Sequence, residues 1–302
     1  MSISAQREKV TFTSDGTRCA AWHYPGTNGG CVVMAGGFGV TKEPATDRFA
    51  ERFSDAGFGV LAFDYRRLGE SGGEPRQVQG IKDQLADWDA ALACAASLPG
   101  TDPARLAIWG FSLAGGHVFK IAAAHPELAA AIAQTPNAYA LPVVRNAGKY
   151  QTRAALLRVT GRAIADGIGG LIGREPLLVP LCGEPGSVAI ITQPDGRLGD
   201  AALNPGGRYP EWRQEAAART VLSIGTYSPA RQASRVRCPL LVLVADDDQT
   251  ALAEPALRAA QRLHRGELVR IPGGHYAPFL DGHEQAVEAE LTFLNRHLLK
   301  TA

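Results

Sequence analysis

The sequence predicts an α/β fold in which a mostly parallel central sheet is flanked by helices. Short apolar runs, typical of strands buried on both faces, alternate along much of the chain with runs of helical period. Glycine or aspartate often closes these runs, as expected where strands and helices join through tight turns. With 302 residues, 45% of them hydrophobic, the chain can bury one large core.

The first elements are predicted to form a hairpin, after which strands and helices alternate. Two strand-like runs, residues 9–13 and 18–24, meet at an Asp-Gly turn at residues 14–16. Alternation of strands and helices is typical of parallel sheets covered on both faces. In chain order, the following runs are predicted as strand 31–35, helix 46–56, strand 60–63, helix 81–98, strand 106–109, helix 117–124 and strand 128–133.

The alternation stops near Asn137, and a long irregular stretch precedes the next clear strand. A structureless loop of that length would be unusual inside a compact domain. We therefore predict a core formed by residues 1–136 and 230–302, with residues 137–229 inserted as a helical cap. The core then resumes as strand 240–245, helix 253–263, strand 268–271 and helix 285–298.

Charge and composition exclude several classes of partner and cofactor. A net charge of +1 gives no basic surface for nucleic acid, and no apolar run approaches the roughly 20 residues of a membrane helix. The N-terminal residues carry no signal-peptide pattern, and the five scattered cysteines form no metal-binding pair. We expect a cytoplasmic protein that binds a small molecule without nucleic acid, membrane, metal or other cofactor. The sequence does not determine the oligomeric state, and a homodimer is one of the alternatives.

The sharpest motif is the run WGFSLAGG at residues 109–116, where a predicted strand meets a helical pattern. This context is typical of a nucleophile elbow, in which a serine takes strained backbone angles and projects into a cleft. Residues two positions away must be small, and Gly110 and Ala114 meet that requirement. We therefore predict Ser112 as the nucleophile. The backbone N–H of Leu113, at the start of the helix, is predicted to stabilise an oxyanion.

A serine hydroxyl needs a base, and the base in turn needs an orienting acid. In the fold built around such an elbow, acid and histidine follow the serine along the chain. His275, in a glycine-rich loop after a strand, is the predicted base, and His283 is the alternative. Three successive aspartates, residues 246–248, follow another strand. Asp248 lies farthest beyond the strand end and is the predicted acid, with Asp247 as the alternative.

The oxyanion also requires a second backbone donor. The run AGGFG at residues 35–39 follows a predicted strand, and its glycines would let backbone N–H groups approach a ligand. We predict the Phe38 N–H as this donor, with Gly37 as the alternative. A phosphate-binding loop is the competing interpretation, but the Lys-Ser/Thr pair that it requires does not follow the glycines.

The cap is predicted to cover a mainly apolar pocket that binds the substrate. The candidates to line this pocket are aromatic and apolar side chains within the predicted cap, residues 137–229. These candidates are Tyr139, Tyr150, Trp212, Tyr227 and the run 177–181.

Together these motifs resemble those of the α/β-hydrolase superfamily over the whole chain apart from the predicted cap. Residues 64–71, DYRRLGES, are similar to the Asp-x-Arg-Gly-x-Gly-x-Ser element of many members, where it has a structural role. Two positions differ from the usual pattern, since Gly36 stands where histidine is common and Ala114 where glycine ends the elbow. The resemblance implies serine esterase, thioesterase, peptidase or acyltransferase activity without choosing among them.

We favour a serine hydrolase that cleaves a carboxylic ester or thioester through Ser112, His275, Asp248 and an acyl-enzyme. The expected partner is a small-molecule acyl substrate. The first alternative is a non-hydrolytic step on the same fold, such as elimination, cyclisation or acyl transfer. The second is a protein that binds a small molecule without catalysis, and a complete set of nucleophile, base and acid argues against it.

Overall fold

The computed structural model describes residues 7–299 and contains an eight-stranded central sheet. Residues 1–6, part of the stretch in which no signal peptide is expected, and residues 300–302 lie outside the described residues. The strands are β1 (Glu8–Ser14), β2 (Thr17–Tyr24), β3 (Cys31–Ala35), β4 (Gly59–Phe63), β5 (Leu106–Phe111), β6 (Ala130–Gln134), β7 (Leu178–Pro180), β8 (Glu215–Ala217), β9 (Leu240–Ala245) and β10 (Gly266–Ile271). The α-helices are α1 (Lys42–Asp55), α2 (Ile81–Ala96), α3 (Leu113–Ala124), α4 (Ala140–Ala147), α5 (Arg153–Leu171), α6 (Gly199–Leu203), α7 (Thr220–Ile224), α8 (Ala253–Ala260) and α9 (His283–Leu298).

The central sheet has the strand order β1-β2-β4-β3-β5-β6-β9-β10. The first two pairings, β1 with β2 and β2 with β4, are antiparallel, and every other pairing in this sheet is parallel. Strands β3 to β6 and β9 are buried along their whole length, which explains why their sequences are apolar on both faces. The predicted fold class, a mostly parallel sheet flanked by helices, is confirmed.

Two apolar layers cover the sheet, one on each face. Helices α2, α3 and α8 pack on one face, and α1 and α9 pack on the other. Successive residues of a strand point to opposite faces, so Ile108 joins the first layer and Trp109 the second. The alternation of strands and helices in the sequence therefore produces a three-layer core.

Two helices begin about one turn before their predicted starts. Helix α1 begins at Lys42 rather than at residue 46, with Pro44 in its first turn, where proline is tolerated. Helix α3 begins at Leu113 rather than at residue 117. The prediction missed its first turn because that turn contains Gly115 and Gly116, which are poor helix formers but are needed for close packing. A Cβ on Gly116 would lie 2.5 Å from the carbonyl oxygen of Asn137. Low intrinsic helix propensity is overridden there by tertiary contact.

The predicted structural element at residues 64–71 holds the loop after β4. The Asp64 carboxylate accepts hydrogen bonds from the backbone and side-chain nitrogens of Lys42, both at 2.8 Å. It also accepts the Glu70 N–H at 3.0 Å. Arg66 donates to the buried carboxylate of Asp87 at 2.8 Å. These buried ion pairs fix the loop to α1 and α2.

The intervening segment, residues 137–229, lies between β6 and β9 in the chain. It contains α4 to α7 and also a small two-stranded sheet in which Leu178 pairs with Ala217. The sequence indicated only an apolar run and an amphipathic stretch at these two places, because a pairing between strands so far apart leaves no local signal. Across residues 7–299, no helix is long and apolar enough to cross a membrane.

Candidate active site

Ser112 lies at the sharp turn between β5 and α3. Its backbone has φ 58° and ψ −113°, a conformation rarely adopted by residues other than glycine. Its N–H donates to the Gln134 carbonyl at 3.0 Å, and its carbonyl accepts the Asn137 N–H at 2.9 Å. A Cβ on Gly110 would lie 2.4 Å from the carbonyl oxygen of Ala114, so glycine permits the turn to close.

Three side chains form one hydrogen-bonded chain at this turn. Nε2 of His275 is 2.9 Å from Oγ of Ser112, and Nδ1 of the same ring is 2.8 Å from Oδ2 of Asp248. The second oxygen of Asp248 accepts the N–H groups of Thr250 at 2.9 Å and Ala251 at 2.7 Å. With Nδ1–H donating to the carboxylate, Nε2 can accept the proton of the serine hydroxyl.

The sheet topology explains why these residues meet. Asp248 follows β9 and His275 follows β10, and the carboxyl ends of these adjacent parallel strands lie at one edge of the sheet. The turn at Ser112 follows β5 at the same edge. The serine, acid and histidine follow one another along the chain in the expected order, and the parallel strands bring them together in space.

The alternative acid and base, Asp247 and His283, lie outside this hydrogen-bonded chain, as does the neighbouring Asp246. Asp246 is exposed and pairs with Arg270 at 2.8 Å, and Asp247 is exposed in the same turn. His283, the alternative base, is the first residue of α9. It is buried, with Nδ1 donating to the Pro278 carbonyl at 3.0 Å.

Burial and charge act in opposite directions on His275. The ring is 1% exposed, and burial by itself lowers its pKa. The adjacent carboxylate of Asp248, together with the nearby charge of Asp195, outweighs burial and raises the pKa above the ordinary 6.5. The imidazolium form of His275 is therefore stabilised in this environment.

The loop after β3 and the start of α3 both lie beside the serine. The loop after β3 approaches so closely that a Cβ on Gly37 would lie 2.9 Å from Cβ of Ser112. Phe38 and Leu113 border the same cavity as Ser112. Within residues 7–299, neither the Phe38 nor the Leu113 N–H donates to a protein acceptor.

A cavity of about 250 Å³ opens beside Ser112. Most of its wall comes from the intervening segment and is apolar. The helical part of that lining has i, i+3 and i+4 spacings that a helical-period search could have found. The larger apolar side chains of α4, α5 and α7 that line it are Val143, Val144, Leu156, Val159, Val221 and Ile224. Gln151, Thr192 and Gln193 add polar groups. This composition suits an apolar ligand with a few polar atoms.

The pocket residues proposed from sequence are wrong. Neither the four aromatic candidates nor residues 177–181 line the cavity. Trp212 donates its indole N–H to the Gly39 carbonyl at 2.8 Å, and the Tyr150 hydroxyl donates to Gln249 at 2.8 Å. Tyr227 lies 2.8 Å from Nδ1 of the buried His117. Their ring surfaces and polar ends are used in packing the segment onto the core.

Residues 7–299 contain no evident site for a metal ion. In the part of the chain that the structure describes, no group of three or more His, Cys, Asp or Glu side chains could hold one. The five cysteines are unpaired, and three of them are buried.

Comparison with known proteins identifies the family. The family model described as serine aminopeptidase, S33, matches residues 27–166. The chain is 38% identical over 294 residues to the quorum-quenching protein AidA of Acinetobacter baumannii (strain MDR-ZJ06), covering 95% of this chain and 94% of that protein. It is 25% identical over 303 residues to the polyketide transferase grgF of a Penicillium species, covering 97% of each.

A solved structure agrees with the fold. The crystal structure of the α/β hydrolase GrgF from Penicillium sp. sh18 matches with a TM-score of 0.82 at 23% identity, over 97% of this chain and 99% of that chain. At this identity the match shows the fold alone. The chain belongs to the α/β-hydrolase superfamily, and the resemblance stated from the sequence is confirmed.

Proposed function

We propose that this protein is a serine hydrolase that cleaves a carboxylic ester or thioester through an acyl-enzyme. The observation that carries the proposal is the hydrogen-bonded chain from Asp248 through His275 to Ser112, on a strained turn beside an apolar cavity. A protein that only binds a ligand has no need of a serine paired with a buried histidine and carboxylate.

The proposed reaction has two halves. In the first, Nε2 of His275 takes the proton of Ser112 as the hydroxyl oxygen attacks the carbonyl carbon, and His275 then protonates the leaving alcohol or thiol. In the second, His275 activates a water molecule that attacks the acyl-enzyme, which releases the acid and restores the serine. Asp248 fixes the tautomer of His275 and stabilises its protonated form.

The oxyanion of each tetrahedral intermediate is assigned to the backbone donors of Phe38 and Leu113. Both N–H groups lack a protein acceptor within residues 7–299, and both residues border the cavity at Ser112. Donors fixed in place before the reaction lower the free energy of developing negative charge without reorganisation. Leu113 adds the positive end of the α3 dipole.

The cavity points to an acyl group with a substantial apolar part. We assign residues 137–229 as the cap, because α4, α5 and α7 supply most of the apolar wall. The bacterial relative is named a quorum-quenching protein, and an enzyme that cleaves a signalling molecule fits that name. A small-molecule acyl ester or thioester is therefore the proposed substrate class.

Acyl transfer is the second candidate, and the relative named a polyketide transferase favours it. The first half of the reaction would be unchanged. An alcohol or amine would then replace water as the group that attacks the acyl-enzyme, with His275 again taking its proton.

Labelling with a fluorophosphonate, followed by mass spectrometry of the adduct, tests the activated serine. We expect a covalent adduct at Ser112 that disappears in Ser112→Ala and forms much more slowly in His275→Ala. His297→Ala, which changes a distant histidine on α9, should label like wild type. A folded wild-type protein that forms no adduct at Ser112 would contradict the proposed function.

Product analysis separates hydrolysis from transfer. A para-nitrophenyl acyl ester is incubated in heavy-oxygen water, with and without an added alcohol. Hydrolysis places the heavy oxygen in the released acid, whereas transfer yields a new ester at the expense of the acid. A new ester as the main product at low alcohol concentration would favour the transferase.

A further inference from the structure

A carboxylate of the intervening segment binds both loops of the candidate active site. Asp195 precedes the short 3₁₀ turn Gly196–Leu198, and it is 8% exposed. One of its oxygens accepts the backbone N–H of His275 at 3.0 Å and that of Gln249 at 2.7 Å. The other accepts the hydroxyl of Thr250 at 2.9 Å. A single side chain therefore connects the loop after β9 to the loop after β10.

The packing around Asp195 is close enough to require glycine. A Cβ on Gly274 would lie 2.8 Å from Cβ of Asp195, a separation that two such atoms do not adopt. A Cβ on Gly196 would lie 3.2 Å from Oγ1 of Thr250. The absence of side chains at both glycines lets the carboxylate reach its three donors.

We propose that Asp195 is a positioning residue that holds the loops carrying Asp248 and His275 at working distance from each other. The inference rests on the proposed function. The loops are also joined nearer the sheet, where the Asp247 N–H donates to the Gly273 carbonyl at 2.9 Å. Asp195 continues this connection outward to the residues that carry the reacting groups. A displacement of about 1 Å at a catalytic group can slow a reaction roughly 100-fold.

Asp195 also places a negative charge near the base. His275 is faced by Ser112 from the elbow, by Asp248 from the loop after β9 and by Asp195 from the intervening segment, with Tyr276 as its chain neighbour. Burial lowers the pKa of His275, whereas the charges of Asp248 and Asp195 raise it. Removal of the Asp195 charge should therefore lower that pKa, which a purely structural contact would not do.

Two substitutions separate contact from charge. In Asp195→Asn, the amide oxygen can accept the two backbone N–H groups, and the amide NH₂ can donate to the Thr250 hydroxyl, so the contacts survive without the charge. Asp195→Ala removes both. Asp200→Asn is the matched control, because Asp200 lies in the same segment but is exposed and binds Gln214.

Two readouts are measured as a function of pH, with thermal unfolding as the test of folding. The first is the rate of fluorophosphonate labelling at Ser112, and the second is the NMR titration of the His275 ring in protein with isotope-labelled histidine. We expect labelling of Asp195→Ala to be slower by about 10- to 100-fold. In Asp195→Asn, His275 should titrate at lower pH while labelling at high pH stays close to that of wild type. Asp200→Asn should match wild type in both.

Labelling of folded Asp195→Ala at the wild-type rate would overturn the proposal. So would a His275 titration in Asp195→Asn that coincides with that of wild type. Failure of wild type to label at Ser112 would instead contradict the proposed function, and the NMR titration would still decide the role of Asp195 because it requires no activity.

Discussion

The backbone of Ser112 is strained, and its neighbours hold it in place. A non-glycine residue in such a conformation costs about 1–3 kcal/mol and persists only where the surroundings determine it. Hydrogen bonds to Gln134 and Asn137 anchor both its N–H and its carbonyl. This conformation points the hydroxyl at His275. The sequence predicts the turn because small residues, Gly110 and Ala114, stand two positions before and after the serine.

Replacement of Asp248 by asparagine should slow the reaction and shift its pH dependence. Burial lowers the pKa of His275 and Asp248 raises it, with a net value above 6.5. His275 must be unprotonated to act as a base, so activity in wild type rises with pH through that pKa. Without the carboxylate charge the pKa falls and the acid limb moves to lower pH. The rate on the high-pH plateau should fall by roughly 10³- to 10⁴-fold, because the asparagine amide no longer holds the His275 ring in the required tautomer.

Steady-state rates with para-nitrophenyl butanoate across the pH range check this expectation. Asp246→Asn is the control, because that exposed carboxylate of the same turn pairs with Arg270 rather than with His275. An Asp248→Asn variant with a near-normal plateau would assign the acid to another residue.

Glu290 is expected to make the protein less stable as pH rises. This residue of α9 is fully buried and accepts the indole N–H of Trp109 at 3.0 Å. Burial raises its pKa well above the ordinary 4.5. Above pH 4.5 the unfolded chain loses this proton while the native state keeps it, so the free energy of unfolding falls as pH increases.

Glu290→Gln should remove this pH dependence, because glutamine retains an acceptor for Trp109 and cannot ionise. Thermal unfolding should give similar midpoints for variant and wild type below pH 4.5 and an increasing advantage for the variant toward alkaline pH. Glu288→Gln, at an exposed position of the same helix, should show no such trend. Parallel curves for Glu290→Gln and wild type would show that Glu290 is ionised in the native state.

At the scale of elements, the β5–α3 turn depends on the absence of a side chain at residue 110. Gly110→Ala would place a Cβ 2.4 Å from the Ala114 carbonyl oxygen, inside hard contact distance. We expect the free energy of unfolding to fall by about 1–3 kcal/mol. Opening of the turn should also slow labelling of Ser112.

Gly161→Ala is the matched control for this substitution. Gly161 lies in α5, and a Cβ there would meet no atom within 4 Å. Alanine should stabilise that helix by about 0.5–1 kcal/mol. Chemical denaturation measures both changes, and equal effects at the two glycines would show that helix propensity rather than crowding controls residue 110.

The boundaries of strands and helices show where the local sequence pattern is sufficient to predict the structure. The run predicted for β9 agrees with the structure at both ends, because all six residues are buried and apolar. Helix α3 begins earlier than predicted, since Gly115 and Gly116 lower local helix propensity but permit contact with the chain after β6. The pairing of β7 with β8 left no local signal, because the two strands lie far apart in the chain and each has only three residues.

At the scale of the whole molecule, the cavity should select acyl groups by size. Val159 lines the cavity from α5, whereas Leu157 on the same helix is 75% exposed and does not line it. Val159→Phe is expected to raise KM for para-nitrophenyl octanoate and to leave KM for the acetate ester nearly unchanged, because the larger side chain fills space that a long acyl chain needs.

Leu157→Phe, which adds a ring outside the cavity, should leave both KM values at wild-type levels. Comparison of kcat and KM for the two esters in the three proteins gives the test. An equal effect of Val159→Phe on acetate and octanoate would mean that the acyl chain binds elsewhere.

The sequence by itself determined the fold class and the residues most suited to act as nucleophile, base and acid. Strand and helix periodicity are local properties, and the elbow is a short motif of small residues around Ser112. Chain order and the strand ends indicated Asp248 and His275, and the structure brings their side chains within hydrogen-bond distance of each other and of the serine.

Only the tertiary structure decided which residues of the intervening segment line the cavity beside Ser112. Helices α4, α5 and α7 line the cavity, whereas the conspicuous aromatic residues pack elsewhere. Asp195 reaches the backbone of a residue 80 positions away in the chain. Contacts of this kind depend on how separate elements pack together, and side-chain packing is a property of the assembled core rather than of any local stretch of sequence.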